Sequence, residues 1–182
     1  MIKIIIIIFI LIFTNISNAS TKKNIINNFK KINNLSFNFI QTIDGKDEKG
    51  DCIINYPKKI YCSYKFKYKK VLVSNGKSLV IKSRSSYYRY PLEKTPLNFI
   101  LDKTYLISKI FELSERIVDK NLINFTIQEN NNEINIFFDL KSFDLIGWQT
   151  QDIYQNLSIT YINSILINQK LKKNQFKLPT RN

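Results

Sequence analysis

Apolar positions are spread unevenly along the chain. Ile4 to Phe13 form an unbroken apolar run behind one cation, Lys3, and Ser17 and Ala19 then place small residues before a cut after Ala19. This three-part layout predicts a cleaved secretory signal over 1–19, the run being shorter than the ~20 apolar residues of a spanning helix. The residue after the cut is Ser20, so no cysteine is left to carry a lipid at the new N-terminus. Next, Ile25, Phe29 and Ile32 recur at helical spacing, which predicts an amphipathic helix over 21–34. At Leu35 the period changes to two. Leu35, Phe37, Phe39 and Gln41 share one face of a strand. The charged stretch 44–50, with two glycines, reads as a loop or loose hairpin.

Alternation continues through strands at 51–56 and 60–67, joined through Pro57-Lys58-Lys59. Val71-Leu72-Val73, Asn75-Gly76 and 78–82 predict a hairpin with a type I′ turn. A tyrosine-rich strand follows over 86–91. Thr95-Pro96 then reads as a helix start leading through Leu101, with Thr95 as cap, and Asp102 or Thr104 starts a second helix ending near Leu113. Strands resume at 116–122, 124–129, 133–140, 145–152 and 156–167, with a turn at Asn130-Asn131-Asn132. The fold class is therefore mainly β with helices (α+β). Roughly ten strands would form one large curved antiparallel sheet with helices over its concave face.

Composition narrows the function. Removing 19 residues and their one cation from a 182-residue chain of net charge +14 leaves 163 residues at +13, the size of a single domain over 20–182. Export to a periplasm argues against a nucleic-acid partner. The lysines are scattered among asparagine and isoleucine and read as a solvated basic face, with attraction to anionic surfaces as a consequence. Histidine is absent, which removes the commonest general base and metal ligand. Nucleophile elbows, phosphate-cradling loops and metal clusters are missing, so neither an enzyme nor a cofactor is expected. Cys52 and Cys62 face the apolar side of a hairpin, opposite or diagonal to one another. They are either a cross-strand disulfide or two buried thiols.

The remaining signal is a surplus of apolar residues. Phe37, Phe39, Ile54, Tyr56 and Tyr64 point inward, and the central helix adds Leu97, Phe99, Ile100 and Leu101. They are either ordinary core or the lining of a cavity for acyl chains, where each buried methylene is worth ~0.8 kcal/mol.

The order of motifs resembles the LolA family of periplasmic lipoprotein carriers. Phe37-Asn38-Phe39-Ile40-Gln41 is similar to the family's F-x-Q strand. Gly50 with Tyr56-Pro57 and 61–64 resembles its G…R-P…W/Y segment, 71–79 its L-V-S-D-G-K-x-L hairpin, and Thr95-Pro96-Leu97 its T-P helix start. Leu145-Ile146-Gly147-Trp148 and Phe176 fit more loosely. The resemblance implies an incomplete β-barrel closed by helices, whose cavity shields the acyl chains of lipoproteins. It also implies a monomer loaded by an inner-membrane ABC-type exporter and unloaded at an outer-membrane receptor, with 97–101 as a lid. A lipid- or partner-sensing module on the same fold is the rival reading. Tyr56 stands where the family has an arginine associated with lid closure and cargo release. Its hydroxyl is the atom that could bond the lid instead, with Lys58 and Lys59 nearby. Cys62 replaces a family aromatic and Cys52 holds the partner position, a paired change that favours a disulfide in the wall.

Overall fold

A computed structural model describes residues 16–65, 69–129, 132–151 and 155–181. Most of the predicted signal, the turn at Asn130-Asn131 and the ends of two predicted strands at Phe66-Lys67 and Asp152 lie outside the described residues. Helix α1 (Ile16–Lys30) leads into strands β1 (Asn34–Ile43), β2 (Lys46–Asn55), β3 (Lys59–Tyr64), β4 (Val71–Asn75), β5 (Ser78–Lys82) and β6 (Tyr87–Pro91). A 3-10 turn (Leu92–Lys94) and helices α2 (Leu97–Ile100) and α3 (Lys103–Glu112) follow. Strands β7 (Arg116–Val118), β8 (Leu122–Glu129), β9 (Asn132–Asp139), β10 (Leu145–Gln151) and β11 (Leu157–Ile167) complete the sheet. All eleven strands form one curved antiparallel sheet in the order β6-β5-β4-β3-β2-β1-β11-β10-β9-β8-β7. It does not close, because β6 and β7 are its two free edges. Among the described residues no helix is long and apolar enough to cross a membrane.

Several boundaries differ from the sequence reading, each for a local reason. Helix α1 stops at Lys30, before the predicted Asn34. There Lys103 Nζ donates to the carbonyls of Lys30 and Ile32, and Asn168 Nδ2 donates to that of Lys31. Asn168 Oδ1 meanwhile accepts from Asn33 N–H at 2.7 Å. Side chains from other elements thus satisfy the end of the helix and turn the chain into β1. The predicted loop over 44–50 is only the turn Asp44-Gly45, both at positive φ, and β2 already runs from Lys46. Gly50 is a strand residue. A Cβ there would lie 2.2 Å from the Ser63 carbonyl oxygen and 2.7 Å from the Phe39 ring, so glycine lets that ring lie on the strand.

The predicted single strand over 116–122 is broken by Asp119-Lys120, both at positive φ, a hairpin turn with no glycine to announce it. At Asn75-Gly76 the turn is of the II′ kind, since Gly76 takes φ 97° and Lys77 is not left-handed. Thr95 does not cap α2. Its hydroxyl turns back to the Leu92 carbonyl at 2.8 Å, and α2 has no side-chain cap. Asp102 does cap α3, accepting from Tyr105 N–H at 3.1 Å.

The core lies inside the curve. Ile25 and Phe29 of α1 and Leu106 and Ile110 of α3 are buried among Ile123, Phe125, Ile134, Ile136 and Phe138 of β8 and β9. Phe29 meets Phe138 edge-on at 6.3 Å, and Phe138 meets Phe125 at 6.0 Å. Tyr105 of α3 donates its hydroxyl to Glu129 of β8 at 2.8 Å, fastening that helix over the same strands.

Candidate functional site

The strands on the other side of the curve are not filled by helices. Their inner face, from β1 to β6 and across to β10 and β11, encloses a cavity of about 540 Å³. Register explains which side chains reach it. Cys52 faces Cys62, Cys62 faces Leu72, and Leu72 faces Ile81, so one row of inward positions runs across four strands. Ile81 in turn faces Tyr88, and Leu79 faces Tyr90. The apolar wall is therefore built from Phe39, Ile60, Leu72, Leu79, Ile81 and Trp148. Tyr88 and Tyr90 stack at 6.5 Å on the edge strand, and Tyr88 remains 47% exposed, so this wall is open to solvent at its rim. A disulfide joins Cys52 to Cys62 across β2 and β3, with Cα atoms 4.1 Å apart.

One end of the cavity is polar. Gln41 sits at its centre. Its Nε2 donates to Ser158 Oγ at 3.1 Å and to Thr160 Oγ1 at 3.3 Å, and its Oε1 accepts from the Tyr64 hydroxyl at 3.1 Å. Burial, reinforced by the nearby charge of Glu48, pushes the Tyr64 hydroxyl above the usual phenol range, so it stays a donor. Lys70 pairs with Glu48 and lies 4.2 Å above the Tyr64 ring.

The predicted site residues separate into two groups. Phe39, Tyr64, Leu97, Cys52 and Cys62 line the cavity. Phe37 stands behind it, edge-on to Trp148 at 6.2 Å. Ile54 is buried in the core, Tyr56 packs edge-on to Phe29 at 5.5 Å, and Phe99 rests on Tyr105 at 5.2 Å. Ile100 and Leu101 are fully buried in the core. The structure thus brings only Thr95-Pro96-Leu97, the front of the expected lid, against the cavity. Sequence reasoning missed Leu72, Leu79, Ile81, Tyr88 and Tyr90 as wall residues and Gln41, Ser158 and Thr160 as a polar end. The first five keep a period-two alternation that marks them as inward. Serine and threonine at inward positions carry no such signal, because polar residues in strands usually mark the solvent face.

The segment 97–101, expected as a lid, is held without Tyr56. That hydroxyl is buried, has no hydrogen-bond partner, and burial pushes it above the usual phenol range. Lys58 makes the contact instead. Its backbone N–H donates to the Leu101 carbonyl at 2.7 Å and its Nζ lies 3.5 Å from Asp102.

An open antiparallel barrel with helices over one half and an apolar cavity in the other has the geometry to enclose an apolar ligand. The sequence matches the family described as outer membrane lipoprotein carrier protein LolA over residues 30–179, and the chain belongs to that family. No curated protein matches the sequence. Among solved structures, MucB is similar with a TM-score of 0.49 at 9% identity, over 91% of this chain and 64% of that one. The chain therefore spans less than two thirds of MucB. Mycobacterium tuberculosis lipoprotein LppX is similar at a TM-score of 0.45 and 11% identity, over 87% and 99% of the two chains. A LolA-superfamily protein from Nitrosomonas europaea gives 0.44 at 7% identity, over 86% and 97%.

Proposed function

We propose that this protein is a periplasmic carrier that shields the acyl chains of lipoproteins in the cavity between the inner and outer membranes. The observation that carries the reading is the 540 Å³ cavity with its apolar wall, in a chain of the LolA family. That volume falls within the ~300–1,000 Å³ typical of sites that bury small ligands. An acyl chain needs shape and apolar contact and no catalytic group, and Phe39, Leu72, Leu79, Ile81 and Trp148 supply both. Phe37, Ile54 and Tyr56 continue the same inward face into the packed core. Loading by an inner-membrane ABC-type exporter and release to an outer-membrane receptor belong to the same proposal.

Opening involves the front of the lid. Leu97 is only half-buried and borders the cavity, whereas moving Ile100 and Leu101 would expose two fully buried side chains at about 1.5–3 kcal/mol each. Leu97 therefore swings aside while Ile100, Leu101 and Phe99 act as its anchor. Export through a signal cut after Ala19 is also proposed. The residues that fix α1 in the core, Ile25 and Phe29, lie beyond that cut and remain in the exported chain.

The test is binding of a fluorescent triacylated lipopeptide against its unacylated form. Saturable binding that needs the acyl chains, and that weakens in Ile81→Trp, supports the carrier. Absence of binding by folded, delipidated protein refutes it and leaves the sensing module.

A further inference from the structure

The polar end of the cavity has unused donors. Gln41 uses both amide hydrogens on Ser158 and Thr160, and its carbonyl takes the Tyr64 hydroxyl hydrogen. The two hydroxyl oxygens are thereby fixed as acceptors. Each hydroxyl still carries one hydrogen to donate. Ser158 and Thr160 are 5% and 3% exposed, and both border the cavity. Buried hydroxyls are normally paired, because leaving one unpaired in apolar surroundings costs free energy. Two such donors side by side, at the end of an otherwise apolar wall, are complementary to carbonyl oxygens at the root of acyl chains.

We propose that Ser158 and Thr160, oriented by Gln41 and Tyr64, form a subsite that binds the ester carbonyls where acyl chains join glycerol. This rests on the carrier reading and refines it. The apolar wall takes the chains, and the hydroxyl pair sets how deep they enter and which linkage is preferred. Charge decides the head group. Lys70, the cation among the described lining residues, is held by Glu48, so the polar end presents neutral donors and a compensated ion pair. A neutral diacylglyceryl root is therefore preferred over the anionic root of a phospholipid, although both contain the same esters.

The experiment compares three probes on the purified, delipidated protein. They are a fluorescent lipopeptide with two ester-linked chains, its ether-linked analogue without carbonyls, and phosphatidylglycerol of equal chain length. The ester probe binds on the order of tenfold tighter than the ether analogue, a few-fold for each neutral hydrogen bond. In the double variant Ser158→Ala, Thr160→Val the ratio of ester-probe to ether-probe affinity collapses toward unity, whichever way the two absolute affinities move. Thr160→Val alone, which is isosteric, removes about half of the preference in logarithmic terms and serves if the double variant does not fold. A wild-type protein indifferent to the linkage, or a preference that survives in the variants, overturns the subsite and leaves the carrier intact. Tighter binding of phosphatidylglycerol than of the ester probe overturns the neutral head-group preference. Failure of all three probes to bind defeats the carrier reading itself.

Discussion

The two halves of the sheet use the same alternation for opposite ends. In β8 and β9 the inward side chains share one core with α1 and α3, and Phe125, Ile134, Ile136 and Phe138 are fully buried there. In β3 to β6 the inward row meets empty space, and its rim residue Tyr88 is 47% exposed. Apolar residues facing inward therefore do not by themselves make a core. What differs is whether a helix is long enough to lie across them. Helix α3 has ten residues and covers its strands, whereas α2 has four and reaches the cavity only with its first turn. The packed half provides stability and the hollow half provides capacity.

The sharpest way to break this division is to truncate one aromatic in each half. Phe138→Ala leaves a hole among Phe29 and Phe125 and is expected to cost about 3–5 kcal/mol in a denaturant titration. Tyr88→Ala removes a rim side chain and is expected to change stability by no more than about 0.5 kcal/mol, while weakening binding of the acylated probe. Equal losses of stability would mean that the hollow half is part of the core.

Next in size is the disulfide. It joins strands of the hollow half at a sequence separation of ten, and such a loop gives about 3 kcal/mol in the chain-entropy account. Cys52→Ala with Cys62→Ala should lose that amount. Hydrogen exchange should quicken in β2 and β3 while β8 and β9 keep their protection. Two free thiols in a mass spectrum taken without reductant would remove the basis for this expectation.

The same contrast explains what could be read from the amino-acid sequence. The helical faces of the packed half followed directly from spacing, as with Ile25 and Phe29 on α1. The hairpin at Asn75-Gly76 announced itself through glycine, even though its turn is of the II′ kind. Asp119-Lys120 adopts positive φ without glycine, so the break between the two strands was read at 123 instead of at this turn. The charges of 46–49 disguised the start of β2, because strand residues facing solvent and loop residues have the same composition. At the site, Phe39, Tyr64 and Leu97 were legible as inward apolar positions. So were Ile54, Ile100 and Leu101, which fill the core, since a sequence pattern gives the face of a side chain but not what stands opposite it. Gln41, Ser158 and Thr160 were illegible as a group, because 117 and 119 residues separate Gln41 from the two hydroxyls.

The smallest effect concerns the seam between the halves. Lys58 touches the lid twice, through its backbone N–H on Leu101 and through Nζ on Asp102. Lys58→Ala removes only the second contact. The two side chains are 36% and 28% exposed, so solvent screens the pair and the expected loss is about 0.2–1 kcal/mol. Asp102 still caps α3 through Tyr105 N–H, which keeps the helix in place. Lys58 also sits at φ 65°, a left-handed conformation that glycine adopts freely, so Lys58→Gly should offset its lost ion pair and leave stability near the wild-type value. The two variants share the missing charge but differ in backbone strain. Both loosen the anchored end of the proposed lid equally, and the affinity for the acylated probe should rise up to about fivefold in both, since a closed lid competes with cargo. A fall in affinity would mean that the Lys58–Asp102 pair belongs to the loaded state, and the seam would then hold cargo in rather than the lid shut.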